Sequence, residues 1–130
     1  MSNPTFRQGP ITFPIASEVE QFRLVTVNDE GKIAHAAADG AIFGAVTEKG
    51  RLAPEAAGAP ELAVHYGVAA VKLETTDTIK AGAAVYAAAD GKVSASGTVQ
   101  VGVAVRATEN NKTLTVLNGL PHAAASAVAA

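Results

Sequence analysis

The chain contains no cysteine and no tryptophan, and aromatic residues make up only 5% of its 130 positions. Without thiols, neither a disulfide framework nor a thiolate–metal site is open to it. So few aromatics also argue against a carbohydrate-stacking surface and against a base-stacking platform for single-stranded nucleic acid. Charge is scarce as well. Charged residues are 17%, with 10 Lys plus Arg against 12 Asp plus Glu, for a formal net charge of −2. A protein that works by neutralising phosphate backbones clusters its cations, so no nucleic-acid partner is expected. The longest apolar stretches are broken by Gly, Lys or Asp well short of the ~20 residues that span a bilayer. The opening segment, MSNPTFRQGPITFPIASEVEQF, lacks the apolar centre of a signal peptide. No membrane partner is expected, and the product reads as a soluble protein made in the cytoplasm. In the absence of a secretory signal, the Asn111-Lys112-Thr113 sequon carries no weight.

Chemistry is also missing from the motifs. The serines (Ser2, Ser17, Ser94, Ser96 and Ser126) stand in arm, turn or tail contexts, and none lies in a G-x-S-x-G elbow. The histidines His35, His65 and His122 show no H-x-H or H-E-x-x-H spacing, so no metal site is expected. Asp29-Glu30-Gly31 and Asp90-Gly91 could suggest calcium binding or acid–base work. Turn chemistry explains them better, because such turns require Asp and Gly and the D-x-D-x-D-G loop is absent. Phosphate-cradling glycine loops are absent too. An enzyme made from Asp90, His65 and Tyr66 would require the fold to gather them. No catalytic residue and no cofactor is expected.

What is present is small and apolar. Hydrophobic residues are 48% of the chain, and roughly a fifth of all residues are Ala. Such a core buries less area per residue than one of Leu, Ile and Phe, at roughly 25 cal/mol per Å². Oligomerisation or docking on a larger surface is the natural supplement.

The pattern is that of an all-β fold. Leu24 to Val27, the turn Asn28-Asp29-Glu30-Gly31 and Lys32 to Ala34 read as a hairpin. Strands follow at Ala41–Thr47, Leu62–Tyr66 and Val68–Leu73. The second half repeats the plan. Val85-Tyr86-Ala87, Asp90-Gly91 and Lys92-Val93-Ser94 match the first hairpin at an offset of 60, Gly102 falls on Gly44, and Leu114–Gly119 falls on Leu62–Gly67. Two pseudo-repeated hairpin units would form a small β-barrel or β-sandwich. Val99, Val101, Val103 and Val105 alternate with more polar neighbours and predict one buried face.

Three segments result: an extended N-terminal arm over 1–15, a β-domain over 16–120, and an Ala-rich tail over 121–130. Pro4, Pro10 and Pro14 keep the arm out of helix and limit its pairing, yet it carries Phe6, Ile11 and Phe13. Exposed aromatics invite a partner. Phe6, Arg7, Ile11 and Phe13 are therefore the candidate contacts with a partner surface or a neighbouring subunit. Deletion of residues 2–14 is expected to abolish that contact and spare the β-fold.

From Leu24 to Gly119 the chain resembles the small capsid decoration (cement) proteins of tailed bacteriophages. The features that carry the resemblance are Gly67-Val68, the run from Ile79 to Tyr86, Asp90 to Val93, and Gly102 to Val105. The resemblance implies a non-enzymatic virion protein. It would bind the major capsid protein on the outer surface of the head as a homotrimer and stabilise the expanded, DNA-filled shell, after synthesis in the host cytoplasm. The arm would make the capsid or neighbour-subunit contact. The alternatives are another structural β-protein of the virion, in the tail or at head completion, and a small-ligand or sugar-binding β-barrel.

Overall fold

Ten short strands account for nearly all the regular structure in the computed structural model, which describes residues 9–52 and 60–123. Phe6 and Arg7 lie outside the described residues, as do positions 124–130 of the tail. The strands are β1 (Ile11–Pro14), β2 (Arg23–Val27), β3 (Ile33–His35), β4 (Gly44–Val46), β5 (Glu61–Val64), β6 (Ala70–Glu74), β7 (Ala84–Ala87), β8 (Val93–Ser94), β9 (Gln100–Ala104) and β10 (Lys112–Leu117). They form three sheets, β1-β5, β3-β2-β4 and β6-β10-β9-β7-β8.

The duplication is real and extends further than the hairpins. β2 pairs with β3 and β4, as β7 pairs with β8 and β9. β4 meets the end of β5 through a pair of backbone hydrogen bonds between Ala45 and His65, of 2.9 and 2.8 Å. The order β3-β2-β4-β5-β1 of the first unit is thus matched by β8-β7-β9-β10-β6 in the second. A parallel bridge joins Ile15 to Ile33, and its counterpart joins Thr75 to Val93. Each unit places a glycine where its neighbour's backbone comes closest. A Cβ at Gly44 would run into the His65 carbonyl, and one at Gly102 into the Val116 carbonyl.

The hairpin tips differ for a local reason. In the first, the Asn28 carboxamide accepts the N–H groups of Glu30 and Lys32 at 2.9 and 3.0 Å, and Gly31 takes φ +76°. Ala88 has no such side chain, so the second tip winds through a 3₁₀ turn, Ala89–Gly91, with Asp90 at φ 60°. Asp tolerates this left-handed conformation better than most residues.

The sheets stay open instead of closing into a barrel, and two hydrophobic clusters fill the space between them. Leu24, Ala36, Ile42 and Ala45 join the inner side chains of the second unit, including Leu73, Val85, Val101 and Leu117. Ile15, Val19, Val25, Ile33, Val46, Leu62 and Val64 form the other cluster. Adjacent residues Leu24 and Val25 therefore serve different cores, and the three-stranded sheet is buried on both faces.

Two expectations change. The valine stripe does not share one buried face: Val101 is fully buried, whereas Val103 and Val105 are 40% and 44% exposed. Val85 faces Gly102 and Tyr86 faces Gln100, so Val101 is an extra residue on β9. Such a bulge reverses the alternation beyond it. The arm segment also ends in structure. Residues Ile11–Pro14 pair with Val64–Glu61 of β5, so deletion through residue 14 would remove a strand and uncover part of the Ile15–Val64 cluster.

Because backbone blocks the space beside Gly102, Gly102→Ala should lower unfolding free energy by about 1–3 kcal/mol, the range for overpacking. Gly40→Ala, whose new Cβ would meet only Ala37 at 3.8 Å, should be close to neutral. Equal denaturant midpoints for the two variants would contradict the close approach.

Candidate docking surface

The outward face of the five-stranded sheet presents apolar side chains in register. Val116 of β10 sits opposite Ala70 of β6 and Val103 of β9, and Val103 sits opposite Ala84 of β7. One row up, Leu114 lies opposite Lys72, and its carbonyl accepts the Val105 N–H at 2.7 Å. Val68, just before β6, is 82% exposed. A contiguous apolar face on a soluble domain marks a contact surface more often than isolated exposed residues do.

At one end of this face lies a cleft of about 300 Å³ lined by Phe22, Lys72, Arg106, Lys112, Leu114 and Glu109, among others. The Lys112 ammonium stands 5.5 Å from the centre of the Phe22 ring and 3.8 Å from a Glu74 carboxylate oxygen. Lys72 and Arg106 make no ion pair among the described residues. Phe22 holds φ 61°, an unfavourable conformation for a bulky residue. It is kept there by its carbonyl, which accepts the Glu74 N–H at 2.8 Å.

The sequence-derived arm residues are only partly visible. Ile11 is half-buried against β5. Phe13 packs edge-on against Phe43, centroids 5.1 Å apart, and Phe43 lies 5.8 Å from Tyr66. A recess of about 150 Å³ lined by Gly9, Pro10, His65, Tyr66 and Val68 marks the point where the arm meets the domain. Nothing in the pattern along the chain pointed to the basic cleft, since its three cations come from different strands and turns.

Two carboxylates, Asp90 and Asp77, serve the fold. Asp90 accepts from Arg23 Nη1 at 3.5 Å and from His35 Nδ1 at 2.8 Å. His35 Nε2 accepts the Glu20 N–H at 2.9 Å, which places the ring proton on Nδ1. The histidine that meets Asp90 is thus His35, not His65. The His35 hydrogen bond, with the nearby Arg23 and Lys92 charges, holds the Asp90 carboxyl below its ordinary range against an opposing effect of burial. Asp77 is lowered by the Ala95 N–H and the Ser94 hydroxyl. No group of three His, Asp or Glu side chains arranged to hold a metal occurs among the described residues. No helix among them is long and apolar enough to cross a membrane.

A family model described as phage cement protein matches residues 7–120. The chain belongs to the phage cement protein family. This is a family of structural virion proteins, not one known for catalysis, and the match extends N-terminally beyond the segment from Leu24 that carried the resemblance. Among solved structures, the cement chain is similar to the head fiber gp8.5 N base of bacteriophage phi29. The identity is 19%, the TM-score 0.65, and the match covers 87% of this chain and 95% of that one. At that identity the likeness shows a shared fold. No curated protein matches the chain.

The two lowered carboxyls contribute to the acid sensitivity of this cement protein. A depressed native pKa stabilises the fold above the unfolded value of 3.8, and that stability is lost as pH falls through the native value. Asp77→Ala and Asp90→Ala should each be destabilised at pH 7, and the gap to wild type should close below pH 3.8. A gap that stayed constant in denaturant titrations from pH 7 to pH 3 would contradict these carboxylate roles.

Proposed function

We propose that the protein binds the major capsid protein on the outer surface of a phage head as a homotrimer and stabilises the expanded, DNA-filled shell. The observation that supports this most is the cement-family match over residues 7–120. Three physical features agree with it. The core is aliphatic, Val with Leu, Ile and Ala and no aromatic side chain among its fully buried members, and it is divided into two clusters, so binding to a larger surface would add to the stability of small cores. The five-stranded sheet turns an apolar face outward. Asp77, Asp90 and His35 are engaged in turns and in the joint between the repeats.

Clamping of this kind works through multiplicity. A trimer whose subunits each make a modest contact converts the second and third contacts into intramolecular events, which raises avidity without any strong single interface. The arm is the proposed shell or neighbour contact, through Phe6, Arg7, Ile11 and Phe13. Ile11 and Phe13 already pack on β5 and Phe43, so within this proposal they position the segment and Phe6 and Arg7 reach the partner.

Heads lacking the protein should release DNA at a lower temperature than heads to which it has been added back, and equal release temperatures would contradict stabilisation. Deletion of residues 2–10 leaves β1 in place. It should weaken head binding by about tenfold or more, equivalent to ~1.4 kcal/mol, with the thermal midpoint of the free protein unchanged. Undiminished binding would remove Phe6 and Arg7 from the contact.

A further inference from the structure

Inside the chain an acidic hairpin tip is already held by an arginine and a histidine. The second tip, Ala89–Gly91, gives its Asp90 to Arg23 and His35 of the first unit, and the Gly91 N–H donates to the Ala36 carbonyl at 2.7 Å. The repeat has a first tip too, in which Glu30 occupies the place of Asp90. Asn28, Asp29 and Glu30 are all exposed, and neither carboxylate has an ion pair among the described residues. One molecule thus carries a satisfied acidic tip, an unsatisfied one, and a cleft with two unpaired cations, Lys72 and Arg106.

Charge is distributed in the same sense. Described positions up to Tyr66 carry Glu18, Glu20, Asp29, Glu30, Asp39, Glu48 and Glu61 against Arg23, Lys32, Lys49 and Arg51. Beyond Tyr66, Lys72, Lys80, Lys92, Arg106 and Lys112 outnumber Glu74, Asp77, Asp90 and Glu109. The first set carries a net negative charge and the second a slight positive one, the sense that favours contact between the tip of one copy and the cleft of another. Within the reading of this chain as a self-associating cement protein, we propose that the outer face of the five-stranded sheet receives a second copy. The β2–β3 tip of that copy places Asp29 and Glu30 in the cleft of Phe22, Lys72, Arg106 and Lys112.

A hairpin tip alone buries too little for a specific interface, which needs about 1,000 Å² or more in total. The contact therefore also covers the adjoining apolar row of Val103, Val105, Leu114 and Val116. Tip and cleft are different surfaces, so the contact is head-to-tail, the type that closes into a ring when the rotation permits. The charged part sets orientation and the apolar row supplies most of the burial.

The test is a charge swap read by analytical ultracentrifugation of the full chain. Lys72→Glu with Arg106→Glu, and separately Asp29→Lys with Glu30→Lys, should each weaken self-association by about tenfold or more. The four substitutions together should restore it. All these positions are exposed, and an unchanged far-UV spectrum and thermal midpoint would exclude misfolding. A monomeric wild type, reversals that sediment as wild type does, or a fourfold variant no better than either pair would each overturn the inference. Head binding separates the inference from the reading it rests on. Loss of head binding by Lys72→Glu/Arg106→Glu with self-association intact would assign the cleft to the shell, overturning the inference and leaving the cement role in place. A wild type that binds no heads would remove the cement role, and the swap result would still decide the self-contact.

Discussion

The turn Ala89–Gly91 is pressed against the start of β2 so closely that a Cβ on Gly91 would lie 2.6 Å from the Leu24 carbonyl oxygen. The glycine permits both the approach and the φ of +73° that the turn requires. Around this seat the two repeats become one body. Leu24 enters the core of the second unit, while its neighbour Val25 enters the core of the first. Asp90, Arg23 and His35 close the joint on the solvent side, and the ring of His35 extends it to the Glu20 backbone. The three-stranded sheet, buried on both faces, owes one of those faces to this joint.

This construction shapes what the protein can do. Its buried Val, Leu, Ile and Ala side chains are spent on two small cores. The surfaces left over are extended ones: an apolar sheet face, a basic cleft at its end, and the region where the arm joins. Extended surfaces suit repeated contact with a lattice, where many modest interfaces act together. The cement family to which the chain belongs is structural, and the geometry gives that role a physical basis.

Much of the fold was legible because glycine and turn residues mark it. Gly31 and Gly91, and Gly44 and Gly102, recur at corresponding places because each repeat needs the same close approach or positive φ. The reversal in β9 was not legible, since a bulge at Val101 depends on how β7 pairs with it and not on anything in the valine run itself. β1 was obscured by its prolines. Pro14 is tolerated because β1 pairs on one side only, with β5, and an edge strand can spare a donor. The cleft was invisible along the chain because antiparallel pairing brings Lys72 and Lys112 together from forty residues apart. The arm signal was legible only as composition, and for Phe13 its meaning proved to include an aromatic contact within the domain.

The proposed role turns on binding to the outside of a mature head. The decisive measurement is co-sedimentation of the purified chain with expanded heads that lack it, and in parallel with unexpanded proheads. Saturable binding to expanded heads, with little or none to proheads, is the predicted result. It would mean that expansion creates the site to which the open surfaces are fitted. Absence of binding to either particle would contradict a role on the head surface.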